Sequence, residues 1–256
     1  MDKNQAFTIL AKAGGTRAAR VIVDNTKNLN RCRVWLIARA LKRGMPVAKI
    51  IHKKWFYGLA FYTNKNTLDP RPDTETLVAA VIADNPHKPR ILDLGTGTGC
   101  IISALVKNIN MASGIGVDKS RGAIKVARKN IKNLGISDVV EIVRGSFENP
   151  NLTLEKFDII VSNPPYIAFG DKRVDAGAKH DPKIALYADN DGFGAYYSIA
   201  KNAPRWIKPN GKIYVEIGID EDTKVRQIFE SNRWQYVRDE RDLAGITRVL
   251  VFKPCI

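Results

Sequence analysis

A glycine-rich segment, "DLGTGTG" at positions 93 to 99, contains the first residues that could bind a ligand. It follows an apolar run and precedes a helix-compatible stretch, where glycines let the backbone approach a ligand that a Cβ would exclude. The segment begins with an acid and lacks the Lys-Ser/Thr pair of a phosphate loop, which suits a cofactor with an ammonium and a sulfonium, S-adenosylmethionine. The residues predicted to bind this cofactor are Asp93, Gly95, Thr96, Gly97, Thr98 and Gly99.

A second acid, Asp118, ends the next apolar run, "GIGVD", and follows Gly97 by 21 residues. At this spacing a carboxylate can accept hydrogen bonds from both ribose hydroxyls of a cofactor, which fits NAD as well as S-adenosylmethionine. The alternative is that Asp118 only caps a helix starting at Lys119. Because the glycine segment and the acid both follow predicted strands, we favour ligand binding for Asp118.

The tetrapeptide Asn163-Pro164-Pro165-Tyr166 follows the apolar run "FDIIVS" and forms the second group of candidate residues. A residue before proline is pushed towards extended backbone, so the two prolines fix the exit of the strand as a stiff turn. The side-chain oxygen of Asn163 and the carbonyl of Pro164 could then accept the two N–H groups of a primary amide or an aromatic amine. The alternative is a tight turn with a packed ring.

Such an amide nitrogen is a poor nucleophile because its lone pair is delocalised. Two acceptors could aim that lone pair at the methyl group of a sulfonium, and positioning of this kind supplies up to about 7 to 11 kcal/mol. Neither a metal nor a strong base is required, and Tyr166 is expected to pack against the planar substrate group and exclude water. We therefore predict methyl transfer with Asn163, Pro164, Pro165 and Tyr166 as the catalytic residues.

Strands and helices that position these residues alternate from Asp73 onward, which is typical of a parallel sheet covered on both faces. The predicted strands are "RILDL", "GIGVD", "VVEIV", "FDIIVS", "KIYVEIG", "WQYVRD" and "RVLVFK". The predicted helices run from Asp73 or Thr74 (either of which could cap) to about Ala83, from Cys100 to Lys107, from Lys119 to Leu134, from Tyr187 to Trp206 and from Asp220 to Ser231. The short connection between the last two strands predicts that they are antiparallel. This α/β pattern resembles the Rossmann-like fold of class I methyltransferases, a seven-stranded, mostly parallel sheet with an antiparallel terminal strand.

The N-terminal quarter is different in pattern and in charge. Residues 1–54 are predicted to form a small helical module for substrate docking, residues 55–72 a linking β-hairpin, and residues 73–256 the methyltransferase domain. Within the module, Asn30 to Lys42 has helical apolar spacing. Residues 1–60 contain 13 Lys and Arg but two Asp, a local charge of +11 out of +15 for the whole chain. Such a surface favours nucleic acid or an acidic protein, or it is only a solvated helical face.

Several separate stretches make the chain similar to the release factor glutamine methyltransferases, which N(5)-methylate the Gln of the Gly-Gly-Gln motif in peptide chain release factors. These stretches are "MPVAKIIHKKWFYGLAFYTNKNTLDPRPDTETLV", "ILDLGTGTGCI", "IIVSNPPYI", "DPKIAL", "ADNDGFGAYYSIA", "IKPNGKIYVEIG" and "RDLAGITRVLVF". The resemblance begins at about residue 45, and "RPDTE" is its most discriminating part. It implies a protein substrate, the release factor, with S-adenosylmethionine as the cofactor.

The resemblance also implies roles for individual residues. The substrate-binding set is Arg71, Pro72, Thr74, Glu75, Asn163, Pro164 and Tyr166, and Asn163 also faces the cofactor. After the third strand, Ser146 and Phe147 fall in the cofactor-binding segment. Family members usually have an Asp where Ser146 stands, so the resemblance implies a weaker contact with adenine here.

Bulk properties limit the alternatives. Apolar residues make up 45% and charged residues 26% of 256, as in soluble globular proteins, and neither a signal-peptide core nor a membrane-spanning run is found, so a cytoplasmic protein is expected. The odd number and spacing of Cys32, Cys100 and Cys255 support neither disulfides nor a zinc site. Two other functions remain open: an adenine or guanine N-methyltransferase acting on RNA or DNA, and a diverged binding module without activity.

Overall fold

The computed structural model describes residues 1–150, 152, 156–171 and 176–255. Its N-terminal part consists of four helices, α1 (Lys3–Gly14), α2 (Thr16–Asn25), α3 (Arg31–Lys42) and α4 (Val47–Ile51). Helix α1 is capped by Asp2 and α3 by Asn30, whose side chains accept hydrogen bonds from backbone N–H groups. These helices enclose a core of their own, formed by Ala6, Leu10, Ala19, Ile22, Val23, Leu29, Val34, Ile37 and Ala38. The helix predicted between Asn30 and Lys42 is therefore confirmed.

A short hairpin follows, with strands β1 (Lys54–Phe56) and β2 (Leu59–Phe61) paired antiparallel. Its turn residues, Tyr57 and Gly58, both have positive φ, at 47° and 74°, which matches the right-handed twist of the strands. The backbone N–H of Tyr57 donates to Glu75 Oε1 at 2.7 Å, and this bond ties the hairpin to the next helix.

The remaining elements form a three-layered α/β unit. They are α5 (Glu75–Ala83), β3 (Arg90–Leu94), α6 (Cys100–Asn108), β4 (Ser113–Asp118), α7 (Arg121–Asn133), β5 (Val140–Arg144), β6 (Phe157–Ser162), β7 (Ile167–Ala168), β8 (Tyr187–Ala188), α8 (Gly194–Asn202), β9 (Ile207–Glu216), α9 (Asp222–Glu230), β10 (Trp234–Arg241) and β11 (Thr247–Pro254). Seven strands make one sheet in the order β10-β11-β9-β6-β3-β4-β5, and strand β11 alone runs antiparallel to both of its neighbours. The predicted seven strands and their terminal reversal are confirmed.

Two details differ from the sequence predictions. The helix predicted from Tyr187 begins at Gly194, because β8 pairs in parallel with β7 and residues Asn190, Asp191 and Gly192 all have positive φ, which a helix does not allow. Neither Asp73 nor Thr74 caps α5 through its side chain; residues Pro72–Thr74 form a single 3₁₀ turn before it.

The sheet order determines where ligands can bind. Strands β4, β3 and β6 are adjacent and parallel, so the loops after their carboxyl ends lie at one edge of the sheet. The glycine segment follows β3, Asp118 ends β4, and Asn163 follows β6. Among the described residues, every helix is too short or too polar to span a bilayer.

Candidate active site

A single cleft at this edge brings together most of the predicted residues. Together with its open mouth it encloses about 1020 Å³ of space. The predicted residues in its lining are Arg71, Thr74, Gly95, Thr96, Gly97, Thr98, Asp118, Ser146, Phe147, Asn163 and Pro165. Those outside the lining are Pro72, Glu75, Asp93, Gly99, Pro164 and Tyr166.

The glycine loop is fixed in place by hydrogen bonds from its own backbone. The N–H groups of Gly95 and Thr96 both donate to Val117 O at 2.9 Å, which fixes the loop to strand β4. Gly95 has a φ of 79°, and a Cβ built on it would lie 3.4 Å from the ring of Phe147 across the cleft. A side chain at this position would therefore be strained and would narrow the space for a ligand.

Asp93 lies behind this loop. Its side chain is completely buried, and Thr96 donates a hydrogen bond to Asp93 Oδ2 at 2.6 Å. Burial raises the pKa of Asp93 to about 7, although the hydrogen bond from Thr96 acts in the opposite direction. Asp93 lies outside the lining of the cleft and stabilises the loop through its hydrogen bond with Thr96. Direct contact between Asp93 and the cofactor stays a prediction.

Asp118 faces the same loop from the end of β4. Its Oδ2 accepts a hydrogen bond from the N–H of Gly97 at 3.0 Å, and its Oδ1 accepts one from the N–H of Ser120 at 2.8 Å. Helix α7 is capped by Ser120, whose hydroxyl accepts from Ala123, and not by Asp118. Burial raises the pKa of Asp118, and its two backbone hydrogen bonds lower it. Each carboxylate oxygen keeps lone pairs for a further donor such as a ribose hydroxyl.

The segment after β5 forms the far wall of the cleft. Ser146 and Phe147 line it as predicted, and Glu148, which sequence reasoning did not identify, lines it as well. A hydrogen bond with Ser146 lowers the pKa of Glu148, and Ser198 donates to Glu148 Oε1 at 2.7 Å. The cleft therefore has an ionised carboxylate two residues beyond Ser146.

Asn163 and Pro165 line the acceptor side of the cleft. The Nδ2 of Asn163 donates to Thr74 Oγ1 at 3.0 Å, while no donor among the described residues bonds its Oδ1. The amide oxygen is therefore left for a substrate. Tyr166 lies outside the lining and packs against the main core, and burial raises its pKa above the ordinary range, so its contact with a substrate stays a prediction.

Behind Asn163 lies Glu216, another residue that the sequence analysis missed. It ends β9, is 2% exposed, and follows Val215, which pairs with Ser162 next to Asn163. Burial raises the pKa of Glu216 to about 7, and the nearby polar side chains of Thr74 and Asn163 act against this shift. A single acid inside the apolar run "KIYVEIG" was the available signal, since unpaired acids are seldom fully buried.

A buried group of charges joins the helical module to the mouth of the cleft. The ammonium of Lys49, on α4, lies 2.8 Å from Asp69 Oδ1 and 3.0 Å from Asp181 Oδ1. Arg71 lines the cleft and donates to Asp181 Oδ2 at 2.7 Å. These contacts fix the loop after the hairpin, where residues 66–71 line the cleft. Glu75 accepts a hydrogen bond from the hairpin residue Tyr57 and does not line the cleft.

A seven-stranded sheet of this order, with a glycine loop and an acid facing an Asn-Pro-Pro turn across one cleft, defines a class I S-adenosylmethionine-dependent methyltransferase. The family of methyltransferase domains matches residues 87–241. The solved structure of a methyltransferase from Pyrococcus furiosus has the same fold, with a TM-score of 0.60 at 15% identity over 88% of this chain and 98% of that chain.

Sequence relatives specify the family further. The release factor glutamine methyltransferase of Agrobacterium fabrum is 41% identical over an alignment of 224 positions that covers 82% of this chain and 75% of that protein. A bifunctional methyltransferase of Rickettsia felis is 36% identical over an alignment of 269 positions that covers 91% of this chain, but this chain spans only 51% of its length. The chain belongs to the release factor glutamine methyltransferase family, and it spans about half the length of its bifunctional relatives.

The residues present fit S-adenosylmethionine. The glycine loop leaves room where a Cβ would project, Asp118 offers acceptors for ribose hydroxyls, and Phe147 offers an apolar ring for a base. When bound, this cofactor supplies a methyl group on a sulfonium that is already activated for transfer.

Proposed function

We propose that this chain methylates the side-chain amide nitrogen of the glutamine in the Gly-Gly-Gln motif of peptide chain release factors. The observation that carries this proposal is the orientation of Asn163. Its amide nitrogen is bound to Thr74 at 3.0 Å, and its oxygen is left to the cleft that the glycine loop also lines. The names of the relatives support the choice of a protein glutamine.

In this reaction the chain's residues bind and orient the substrate. Asn163 Oδ1 accepts one N–H of the substrate amide, and the carbonyl of Pro164 is assigned the other. Holding both N–H groups turns the nitrogen lone pair towards the glycine loop. Because the stiff Pro164-Pro165 turn orders these acceptors before the substrate arrives, little entropy is lost on binding.

The helical module is assigned to docking of the release factor. Trp35 of the module and Trp55 of the adjoining hairpin are both exposed, with Arg39 and Lys53 over the respective rings at 5.6 Å and 4.7 Å from the ring centroids. Exposed tryptophans beside cations suit a protein surface that contains acidic residues.

The test is a methylation assay with isotopically labelled S-adenosylmethionine and two substrates offered separately, a purified release factor and total RNA. We expect label in the release factor, and its loss when the Gln of the motif is replaced by Ala. Label in RNA alone would establish instead an adenine or guanine N-methyltransferase. Absence of transfer to both, together with no binding of S-adenosylmethionine at millimolar concentration, would identify a non-catalytic binding module.

A further inference from the structure

Lys49 is a buried cation to which the proposed reaction gives no role. It lies on α4 of the helical module and is 6% exposed, which is rare for a lysine unless it is paired. Its neighbours Ile50 and Ile51 pack against the core of the module. The side chain of Lys49 instead leaves the module, because the oxygens around its ammonium in the described part of the chain belong to residues 63–69 and to Asp181.

The ammonium of Lys49 holds two separate segments. In the loop after the hairpin, it donates to the carbonyl of Asn64 at 2.8 Å and to the carbonyl of Thr67, and it lies 2.8 Å from Asp69 Oδ1. In the second segment it lies 3.0 Å from Asp181 Oδ1. One side chain of the module therefore joins two carboxylates that are 112 residues apart in the sequence.

Both of these segments form part of the cleft. Residues 66–71 line it, and so do residues 184–185, which follow Asp181 closely in the chain. The second segment also reaches the module at an exposed point, where His180 Nε2 lies 3.2 Å from Arg43 O. The helical module therefore contacts two cleft-lining segments, and its buried contact with both is made by one ammonium.

A series of hydrogen bonds continues from this ammonium to the acceptor side of the cleft. Asp181, which pairs with Lys49, accepts a hydrogen bond from Arg71 Nη2 at 2.7 Å. The carbonyl of Arg71 accepts from the N–H of Thr74 at 3.2 Å, and Thr74 Oγ1 accepts from Asn163 Nδ2 at 3.0 Å. Lys49 is therefore connected to the amide that is assigned to the substrate, although it does not line the cleft itself.

Stability alone does not explain a buried charge cluster here, because well-packed apolar side chains stabilise a protein equally well or better. Lys49 and Arg71 balance the two carboxylates, and the side chain of Arg71 remains 37% exposed at the cleft. We propose that Lys49 is a positioning residue, whose ammonium fixes the two cleft-lining segments to the helical module and so presents Arg71 to the release factor. This inference rests on the proposed function.

The first test needs no substrate and follows backbone hydrogen exchange of the full chain by mass spectrometry. Lys49→Met keeps a long side chain but removes the ammonium, so peptides covering residues 62–71 and 179–188 should exchange about fivefold faster. The matched control is Lys212→Met, which removes an ion pair with Asp84 at 2.7 Å outside the lining of the cleft and should leave both peptides unchanged. Unchanged exchange of both peptides in Lys49→Met overturns the proposal.

The second test separates KM from kcat on the release factor. In Lys49→Met, the KM for the release factor should rise about tenfold while kcat stays within about threefold, because the ammonium orders a binding surface and does not contact the reacting amide. A residue that only stabilises the fold would lower the active fraction, and hence kcat, at unchanged KM. That result, or no change in either constant, overturns the proposal. If the unsubstituted protein does not methylate the release factor, the proposed function fails, and hydrogen exchange still decides whether Lys49 fixes the two segments.

A charge-balanced variant distinguishes positioning from compensation of charge. Lys49→Met combined with Asp69→Asn removes one charge of each sign and leaves the pair between Arg71 and Asp181 in place. We expect this double variant to fold, also where Lys49→Met alone does not, and to keep the raised KM and the faster exchange of residues 179–188. A KM and an exchange rate equal to those of the unsubstituted protein would mean that Lys49 only compensates a buried carboxylate. That result overturns the proposal, as does failure of both variants to fold.

Discussion

The cofactor side and the acceptor side of the cleft are assembled in different ways. On the cofactor side, the glycine loop, Asp118 and the segment from Ser146 each follow one of three neighbouring strands, and backbone N–H groups hold the loop to Val117 and Asp118. On the acceptor side, the side chain of Asn163 is bound to Thr74, 89 residues earlier in the chain, and lies at the strand end beside Glu216, 53 residues later. The cofactor side is therefore built from segments close in sequence, whereas the acceptor side is a network of side chains that are distant in the sequence.

The largest effect is expected where this network meets the substrate. Asn163→Ala removes one of two acceptors, and loss of one preorganised hydrogen-bonding group at a reacting centre costs about 100-fold to 1000-fold in kcat. The Kd of S-adenosylmethionine should stay within about threefold, because the cofactor side keeps its backbone contacts. Turnover assays and calorimetry measure the two quantities. An equal loss of kcat and of affinity for S-adenosylmethionine would show that the two sides of the cleft do not act separately.

A smaller effect is expected on the cofactor side, and it should change the affinity for S-adenosylmethionine instead of kcat. Asp118→Ala removes a carboxylate that accepts from Gly97 and is placed to accept from ribose, and a hydrogen bond to a charged group contributes about 1.5 to 3 kcal/mol. We expect the Kd of S-adenosylmethionine to rise about 10-fold to 100-fold, with kcat at saturation little changed. The matched variant Asp118→Asn keeps one acceptor and should bind with intermediate affinity. A fall in kcat alone would contradict this assignment.

The contrast also explains which parts the sequence could predict. The glycine loop and Asp118 were found because each is a local motif at the end of an apolar strand, and the strands themselves are continuous apolar runs. The Asn-Pro-Pro turn was found for the same reason. Thr74 was included through family resemblance, but its bond to Asn163 joins positions that no spacing rule connects. The start of α8 was misplaced because the predicted helix began at Tyr187, ahead of the turn signal "DNDG" at residues 189–192, where three residues have positive φ.

Glu148 provides the finest test of the comparison, because it is a second acidic side chain, after Asp118, on the cofactor side. Its carboxylate lines the cleft beside Ser146, where the family resemblance implies an acid that accepts from the adenine amino group. We expect Glu148→Ala to raise the Kd of S-adenosylmethionine about fivefold, as for one ordinary hydrogen bond, and to leave kcat unchanged.

Exchanging the residues at positions 146 and 148 separates binding of adenine by the acid from simple packing. Ser146→Asp alone places a second carboxylate next to Glu148, and repulsion between the two should weaken binding of S-adenosylmethionine. Combining Ser146→Asp with Glu148→Ser restores a single acid on the same wall, so the Kd should return to within about twofold of the original. Calorimetry on the four proteins gives the coupling between the two positions directly. Additive effects of the two substitutions would mean that Glu148 does not take the place of the missing Asp, and the far wall would then bind adenine through Phe147 and the backbone alone.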